Sequence, residues 1–560
     1  MPDSVTPASP TARLELLLLA VVVVVQLLPL VFLTRLPTQD GPSHQALAYA
    51  MRVIDRPEGA PLRQYLEHND EALPNWFVFF LQARVLGFVS TATAEKLLVA
   101  AYVVLLPLGL RYALRAVDRD AGVLAALGLP LTYNFPFGMG FLNFCWSLAA
   151  FCFALGFYLR RRHRLDARGA LALSLLVVWV YFCHPVTLVM LGLAVATLGA
   201  AAVAHEARAA GWSATSLWRA VRARLVWPLA AFLPAAVMLA AFVGRRLDRP
   251  SSRLPLDVKA KHLVALYSLV SFDYRTLSAA LGLSLLIASM VLTLILRRRG
   301  SSTLRETRTL RETRTPWLGE RSPWDPLLAV TVVFALVYFA APSQLAGGGF
   351  VDQRLALFPP LVLLLWLGSG RWRRGERWTV QLAAAGLALS MVALLWTRWA
   401  AIDRKLDDYV TVAERIEDGR TVLPLAFAPA GIGRGGDDLA FRVWPFVHGV
   451  GYVAGRRPIV DLGLYEAGED YFPLRFRAAL DPYRHLSIGP LGMEEVPPRV
   501  DIAGYERRGG RVDYVLLWQP MARPRSHPAT RELYRQLAGG FERTAVSPHG
   551  DAELWRRQRR

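Results

Sequence analysis

Eleven apolar runs separated by arginine clusters constrain what this chain can fold into more than any other feature. They lie at residues 14–33, 94–115, 121–137, 141–159, 168–183, 186–204, 225–243, 276–296, 325–341, 354–368 and 378–398. An α-helix needs about 20 apolar residues to cross about 30 Å of hydrocarbon, and most of these runs approach that length. Hydrophobic residues make up 54% of the 560, and they arrive in these blocks instead of at the spacing of a water-soluble core. The expected fold is therefore mostly α: a polytopic helical membrane bundle of about 11 spans. Beyond residue 399 the apolar runs shorten to strand length, as in Val512-Asp513-Tyr514-Val515-Leu516-Leu517-Trp518, which predicts a C-terminal α/β or α+β domain.

The arginines orient the spans, because cytoplasmic loops collect Lys and Arg. Arg111, Arg115 and Arg119 form one cluster and residues 160–164 a second, with further clusters in 208–224, 297–321 and 371–377. With the N-terminus inside, all five face the cytoplasm. Residues 73–90 are apolar but interrupted by Asn75, Gln82 and Arg84. Counting them as a span would invert every later loop, so an amphipathic interfacial helix is expected there. The outward segments are then 34–93, 134–140, the His184-Pro185 hinge, 244–275, 342–353 and everything after 399. Residues 1–13 read as a cytoplasmic tail, 14–398 as the transmembrane domain and 399–560 as an extracytoplasmic soluble domain. The first run is too long for a signal-peptide core and lacks a small-residue cleavage site, so it reads as an uncleaved span.

The formal net charge of +20 follows from arginines beside spans, where they meet anionic headgroups. No basic module stands apart, and nucleic acid is not an expected partner. Cys145, Cys152 and Cys183 all fall in apolar runs and read as small packing residues. No HExxH, Walker, GxSxG or Rossmann pattern occurs, so spacing assigns no metal or nucleotide site and argues against a self-contained ATP-driven pump. The tandem TLRETR at 303–308 and 309–314 reads as a flexible insertion in a cytoplasmic loop.

The sharpest local signal is Gln39-Asp40-Gly41-Pro42-Ser43-His44, just past the first span. A carboxylate at a bilayer edge, held by a Gly-Pro turn with an imidazole four residues on, suits a general base. The same residues also suit a helix start capped by Ser43 with Asp40 merely solvated. Gly347-Gly348-Gly349-Phe350-Val351-Asp352-Gln353-Arg354 enters the tenth run from outside. Arg354 there suits phosphate through bidentate, weakly hydrated pairing, or equally a snorkelling interfacial arginine. His184 breaks a long apolar stretch, so its first duty is a helix turn and its second a ligand contact. Lys259, Lys261 and His262 sit in an outward loop against the topological bias, which fits either an anionic substrate or lipid headgroups. The turn from Asn134 to Phe141 is aromatic and glycine-rich, an interfacial belt or a cavity wall. Asp437, Asp438 and His448 are candidates by residue type alone.

The order of these features resembles the GT-C membrane glycosyltransferases, a family that includes protein O-mannosyltransferases, aminoarabinose transferases and many bacterial members. The resemblance covers roughly residues 10–400: one span, then a long loop with an early Asp and two amphipathic helices. Asp40 falls where the family places its first-loop acid, Leu73-Pro74-Asn75-Trp76-Phe77 at the start of its second juxtamembrane helix, and Phe350 to Arg354 at its arginine-bearing loop. Two departures stand out: Asp40-Gly41 replaces an Asp-Glu pair, and Leu-Pro-Asn replaces His-Pro-Pro.

The resemblance implies a bacterial inner (cytoplasmic) membrane enzyme. It would move a sugar from a polyprenyl-phosphate donor to an extracytoplasmic lipid, glycan or protein acceptor. Asp40, with His44 beside it, would be catalytic; Arg354, Lys259, Lys261, His262 and His184 would bind substrate. Membrane lipids are the other expected partners. No cofactor is required, although a divalent cation has room in the scheme. Two other readings remain: a non-catalytic scaffold of envelope assembly, and a transporter or flippase of lipid-linked saccharide. The latter predicts paired broken helices in repeated halves, and no internal repeat is visible.

Overall fold

A computed structural model describes residues 10–246, 248–272, 275–306, 322–433, 435–489 and 492–558. The helices that build the bundle and bear on the site are, in chain order, α1 (Pro10–Phe32), α2 (Gly41–Val53), α3 (Thr91–Val117), α4 (Leu142–Arg161), α5 (Ala167–Cys183), α6 (Pro185–Ala209) and α7 (Ala214–Gly244). There follow α8 (Leu256–Val264), α9 (Arg275–Glu306), α10 (Pro326–Ala340), α11 (Val351–Leu355), α12 (Phe358–Gly368), α13 (Arg374–Ala413) and α14 (Tyr465–Gly468). Among the described residues, seven helical segments are long and apolar enough to cross a membrane: α1, α3, α4, α6, α7, α11 with α12, and α13. Three shorter apolar helices, α5, α10 and residues 281–296 of α9, stand beside them. The protein is a multi-pass membrane protein. The second copy of the tandem repeat, at 309–314, lies outside the described residues, as do the first nine residues of the tail.

The run expected to be a span at 121–137 takes an unusual form. Residues Arg119–Leu131 form a 3₁₀ helix of 13 residues. At about 2.0 Å per residue such a helix covers about 26 Å, where an α-helix of equal length covers about 20 Å. Thirteen residues thus do nearly the work of a full span. Runs of this length are uncommon because the hydrogen bonds are poorer, and here neighbours contribute. Gln26 of α1 donates to the Leu129 carbonyl at 3.1 Å, and Tyr102 of α3 to that of Thr132 at 2.8 Å. Gly128 lets α3 approach: a Cβ there would sit 2.4 Å from Leu110 Cδ2.

The chain turns where backbone chemistry forces it. At His184-Pro185 the extended φ of −165° at His184 and the proline at the first position of α6 separate α5 from α6. Residues 73–90 contain only the helix Phe77–Phe80, which runs into a π-turn over Leu81–Val85, too short to cross.

The C-terminal domain carries a five-stranded sheet in the order β3-β2-β5-β7-β6. Its strands are β2 (Thr421–Ala426), β3 (Val460–Asp461), β5 (Tyr514–Trp518), β6 (Phe541–Val546) and β7 (Ala552–Arg557). β3, β2 and β5 are parallel, and β7 and β6 add antiparallel strands. The central strands are fully buried, as expected for a sheet covered on both faces. The domain is bound firmly to the bundle. α13 runs unbroken for 40 residues, about 60 Å, from the last span into the domain. β1 (Leu66–His68), in the loop after α1, pairs antiparallel with β4 (Leu474–Phe476). Asp403 accepts from the amides of Thr34 and Arg35 at 2.8 and 3.0 Å.

Candidate active site

Asp40 is the N-cap of α2, and its position comes from backbone pairing with the aromatic turn. The amides of Gln39 and Asp40 donate to the carbonyls of Gly138 and Met139 at 3.0 and 3.1 Å. The turn must carry glycine: Gly140 has φ of +87°, and a Cβ there would lie 2.9 Å from the Asp40 nitrogen. Gly41 is similarly enclosed, by Thr38 and Glu95. The Asp40 side chain does not cap its own helix. It is 3% exposed and faces the C-terminal domain.

That domain supplies the neighbours of the carboxylate. Tyr465 donates from its hydroxyl to Asp40 Oδ2 at 2.8 Å. His448 brings Nε2 to 4.0 Å from Oδ1, with its ring stacked on Tyr465 at 5.0 Å. Burial drives the Asp40 pKa up to about 7; the Tyr465 hydrogen bond pulls it down, and nearby Glu494 pushes it up again. A group poised there is balanced for proton transfer at neutral pH. Arg354 also lowers it, so the guanidinium is within electrostatic reach.

His44, one turn along α2, meets a different part of the domain. Its Nε2 lies 3.3 Å from Glu466, whose other oxygen accepts from Ser43, and Phe79 packs edge-on at 4.8 Å. Burial depresses the His44 pKa to about 3, with neighbouring His448 adding to the effect, so the imidazole is neutral. Serine, histidine and glutamate are adjacent here, but the serine bonds to the carboxylate and not to the imidazole, so no hydrolytic triad forms. Glu466 is held well above the usual carboxylate range by burial and by Asp40.

Arg354 lies on the one-turn helix α11 behind the glycine loop, with Phe350 at a left-handed φ of 56°. The guanidinium stacks on Phe141 at 4.2 Å, and Nη1 donates to the Gly349 carbonyl at 2.6 Å. Nε is buried without a partner, as is Oε1 of neighbouring Gln353. The aromatic turn touches both halves of the site: its backbone holds Asp40, while Phe135 and Phe141 pack against Phe350 at 5.6 and 6.1 Å.

The remaining predicted residues are placed elsewhere. Lys259 is buried and donates to the carbonyls of Tyr338, Phe339 and Ala341 at 3.0, 3.2 and 2.5 Å, capping the C-terminus of α10. Lys261 is exposed and pairs with Asp257 at 2.9 Å. His262 stacks on Tyr267 and lies 3.9 Å from Asp352. His184 caps α6 through Nδ1, with its ring edge-on to Phe144, itself 5.9 Å from Arg354. The structure therefore sets Asp40 and His44 of the α2 start against the C-terminal domain, with Arg354 within electrostatic reach of Asp40 and His184 one aromatic ring behind Arg354. Tyr465 and Glu466 were not foreseeable: Tyr465 lies 425 residues from Asp40 in sequence and carries no local motif. Among the described residues no group of three or more His, Cys, Asp or Glu stands ready to hold a metal ion.

A second feature lies among the apolar helices. Tyr112, Phe153, Phe157, Leu176 and Trp179 line an open apolar groove of about 400 Å³ between α3, α4 and α5. Trp179 contacts Phe77 at 5.9 Å, and Phe77 starts the short helix whose Phe79 packs on His44.

No protein-family profile and no curated protein sequence matches the chain. A solved structure does: the crystal structure of ArnT from Cupriavidus metallidurans in the apo state aligns over 98% of this chain and 98% of its own. The TM-score is 0.54 and the identity 12%. The chain has the GT-C membrane glycosyltransferase fold. Since the alignment takes in nearly all of both chains, the C-terminal domain belongs to this GT-C architecture and is no appendage to it. At this identity the likeness is one of backbone arrangement and assigns no residue its role.

Proposed function

We propose that this protein is a glycosyltransferase that takes a sugar from a polyprenyl-phosphate donor. The observation that carries the reading is the buried Asp40 carboxyl, poised near neutrality within electrostatic reach of a buried arginine. Asp40 removes the proton from an acceptor hydroxyl or amine, and the freed lone pair attacks the anomeric carbon. The bond from that carbon to the phosphate oxygen breaks, and polyprenyl phosphate leaves with the bonding pair. Arg354 stabilises the growing charge; its unpartnered Nε and its stacking on Phe141 suit a phosphate oxygen. The groove at Trp179 suits the prenyl tail. The departure from the family's Asp-Glu pair leaves Asp40 as the single carboxylate of its loop motif.

The site faces the outside of a bacterial inner membrane in this reading, with the N-terminus cytoplasmic, because the arginine clusters then all lie inside. A panel of radiolabelled polyprenyl-phosphate hexoses and pentoses, offered to the detergent-purified protein with an envelope fraction, tests the function. Binding and transfer of at least one donor is expected. If the panel is neither bound nor turned over, while the protein remains folded, the transferase reading fails and the scaffold reading replaces it.

A further inference from the structure

We propose that Tyr465 and His448, both carried by the C-terminal domain, are positioning residues for Asp40, so that the domain completes the active site instead of only covering it. The inference rests on the reading of Asp40 as the base, and deepens it by assigning the domain a part.

The geometry leaves little freedom at this contact. Tyr465 donates to Asp40 Oδ2 at 2.8 Å, and His448 Nε2 lies 4.0 Å from Oδ1, so the domain faces both oxygens of the carboxyl. His448 stacks on the Tyr465 ring at 5.0 Å with an interplanar angle of 28°. The imidazole thereby limits the phenol to the orientation that reaches Asp40. Neighbouring contacts hold the domain at that spacing. Glu466, next in sequence to Tyr465, is bonded to Ser43 and faces His44. Gly451 packs so closely that a Cβ would lie 2.2 Å from the Pro42 carbonyl oxygen. On one side the Trp444 amide donates to Gln39 at 2.9 Å, and on the other Tyr452 donates to the Leu36 carbonyl at 2.9 Å. The segment 36–44 is thus gripped from Trp444 to Glu466, and the Asp40 carboxyl is the one reacting group within the grip.

The hydrogen bond has a consequence that a merely structural contact lacks. A donor to a carboxylate favours its ionised form, so Tyr465 counters the desolvation that raises Asp40. The other charged or titratable groups facing Asp40 are Glu494, Glu466 and Tyr471 from the domain, His448, and Arg354 from α11. Glu95 stands behind Gly41 on α3. None of these groups donates a hydrogen bond to the carboxylate as Tyr465 does; the adjacent Gln39 side chain is its other hydrogen-bond partner and lowers the Asp40 pKa less.

The test needs no substrate, so its outcome is independent of whether any donor on the panel is turned over. The carboxyl of Asp40 is titrated by infrared difference spectroscopy in the full-length detergent-solubilised protein, with Asp40→Asn identifying the band. The wild-type midpoint is expected near 7. In Tyr465→Phe it should rise by about one pH unit, a tenfold gain in proton affinity. Incorporation of 3-fluorotyrosine at position 465 keeps the shape and strengthens the donor, and should move the midpoint down. That second measurement keeps the test sound if Tyr465→Phe disturbs folding. An Asp40 midpoint that stays put when the donor at 465 is strengthened overturns the proposal, as does a folded Tyr465→Phe with the wild-type midpoint.

Discussion

The loop after α1 and the basic loop between α7 and α9 carry the same kinds of residue, yet the structure uses them in opposite ways. In the basic loop, Lys259 spends its ammonium on three carbonyls at the end of α10, and Lys261 is tied to Asp257 in water. These charges have partners already. In the loop after α1, Asp40 is buried and bonded to Tyr465, His44 keeps Nδ1 without a partner, and Arg354 keeps Nε without one. Burying such groups with capacity left over costs free energy, which a bound substrate recovers in the proposed reading. The difference teaches that a charge at a membrane edge is informative through what it still lacks, more than through its type.

The largest effect is expected of Asp40→Asn. Loss of the base should cut transfer by about 10³-fold, while the neutral amide still accepts the Tyr465 hydrogen bond. The same change should raise the thermal midpoint at pH 8. The folded-state pKa of Asp40 is raised, so its contribution to stability is complete only below the unfolded pKa near 4. It is lost as pH rises through about 7, and removing the charge removes that loss. A calorimetric scan at pH 8 and one at pH 4 should therefore separate, with the gain confined to the higher pH.

Next in size, Arg354→Ala should weaken donor binding by about 10- to 100-fold. Arg354→Lys should recover only part of it, because an ammonium neither stacks on Phe141 as well nor forks to two oxygens. Lys259→Met should do the reverse: it lowers stability by about 1–3 kcal/mol by leaving the α10 carbonyls uncapped, and leaves donor affinity unchanged. Equal loss of affinity in Lys259→Met and Arg354→Ala would break the comparison.

The pH dependence follows. Because Asp40 must be ionised to accept a proton and burial places it near 7, kcat/KM should rise about tenfold per pH unit below 7 and level off above it. A flat profile from pH 5 to 8 would assign the base elsewhere. The smallest effect is expected at the other end of the comparison, where Lys261→Ala should change neither affinity nor thermal midpoint measurably, since the exposed pair with Asp257 is screened by solvent.

Much of this was legible from the residues. Period and length of the apolar runs announce the bundle, and the Gly-Pro turn after the first span announces where Asp40 stands. The 3₁₀ form of 119–131 was not legible, because an apolar run of that length reads equally as an α-helical span, and the contacts that accompany it, Gly128 on Leu110 and the bonds from Gln26 and Tyr102, are made across the fold. Lys259 reads as an anion-binding candidate because sequence displays a charge but not the carbonyls it caps. Tyr465 and Glu466 lay hidden for a third reason: a contact made across the whole chain leaves no spacing to read. His448 was visible only as a residue type, and its meaning comes from stacking on Tyr465.

Single-turnover transfer by Asp40→Asn against wild type, with donor binding measured in the same samples, separates the base from the binding site. The expected variant binds polyprenyl-phosphate sugar as tightly as wild type and transfers it about 10³-fold more slowly. A variant that binds the donor and transfers the sugar at the wild-type rate would contradict it.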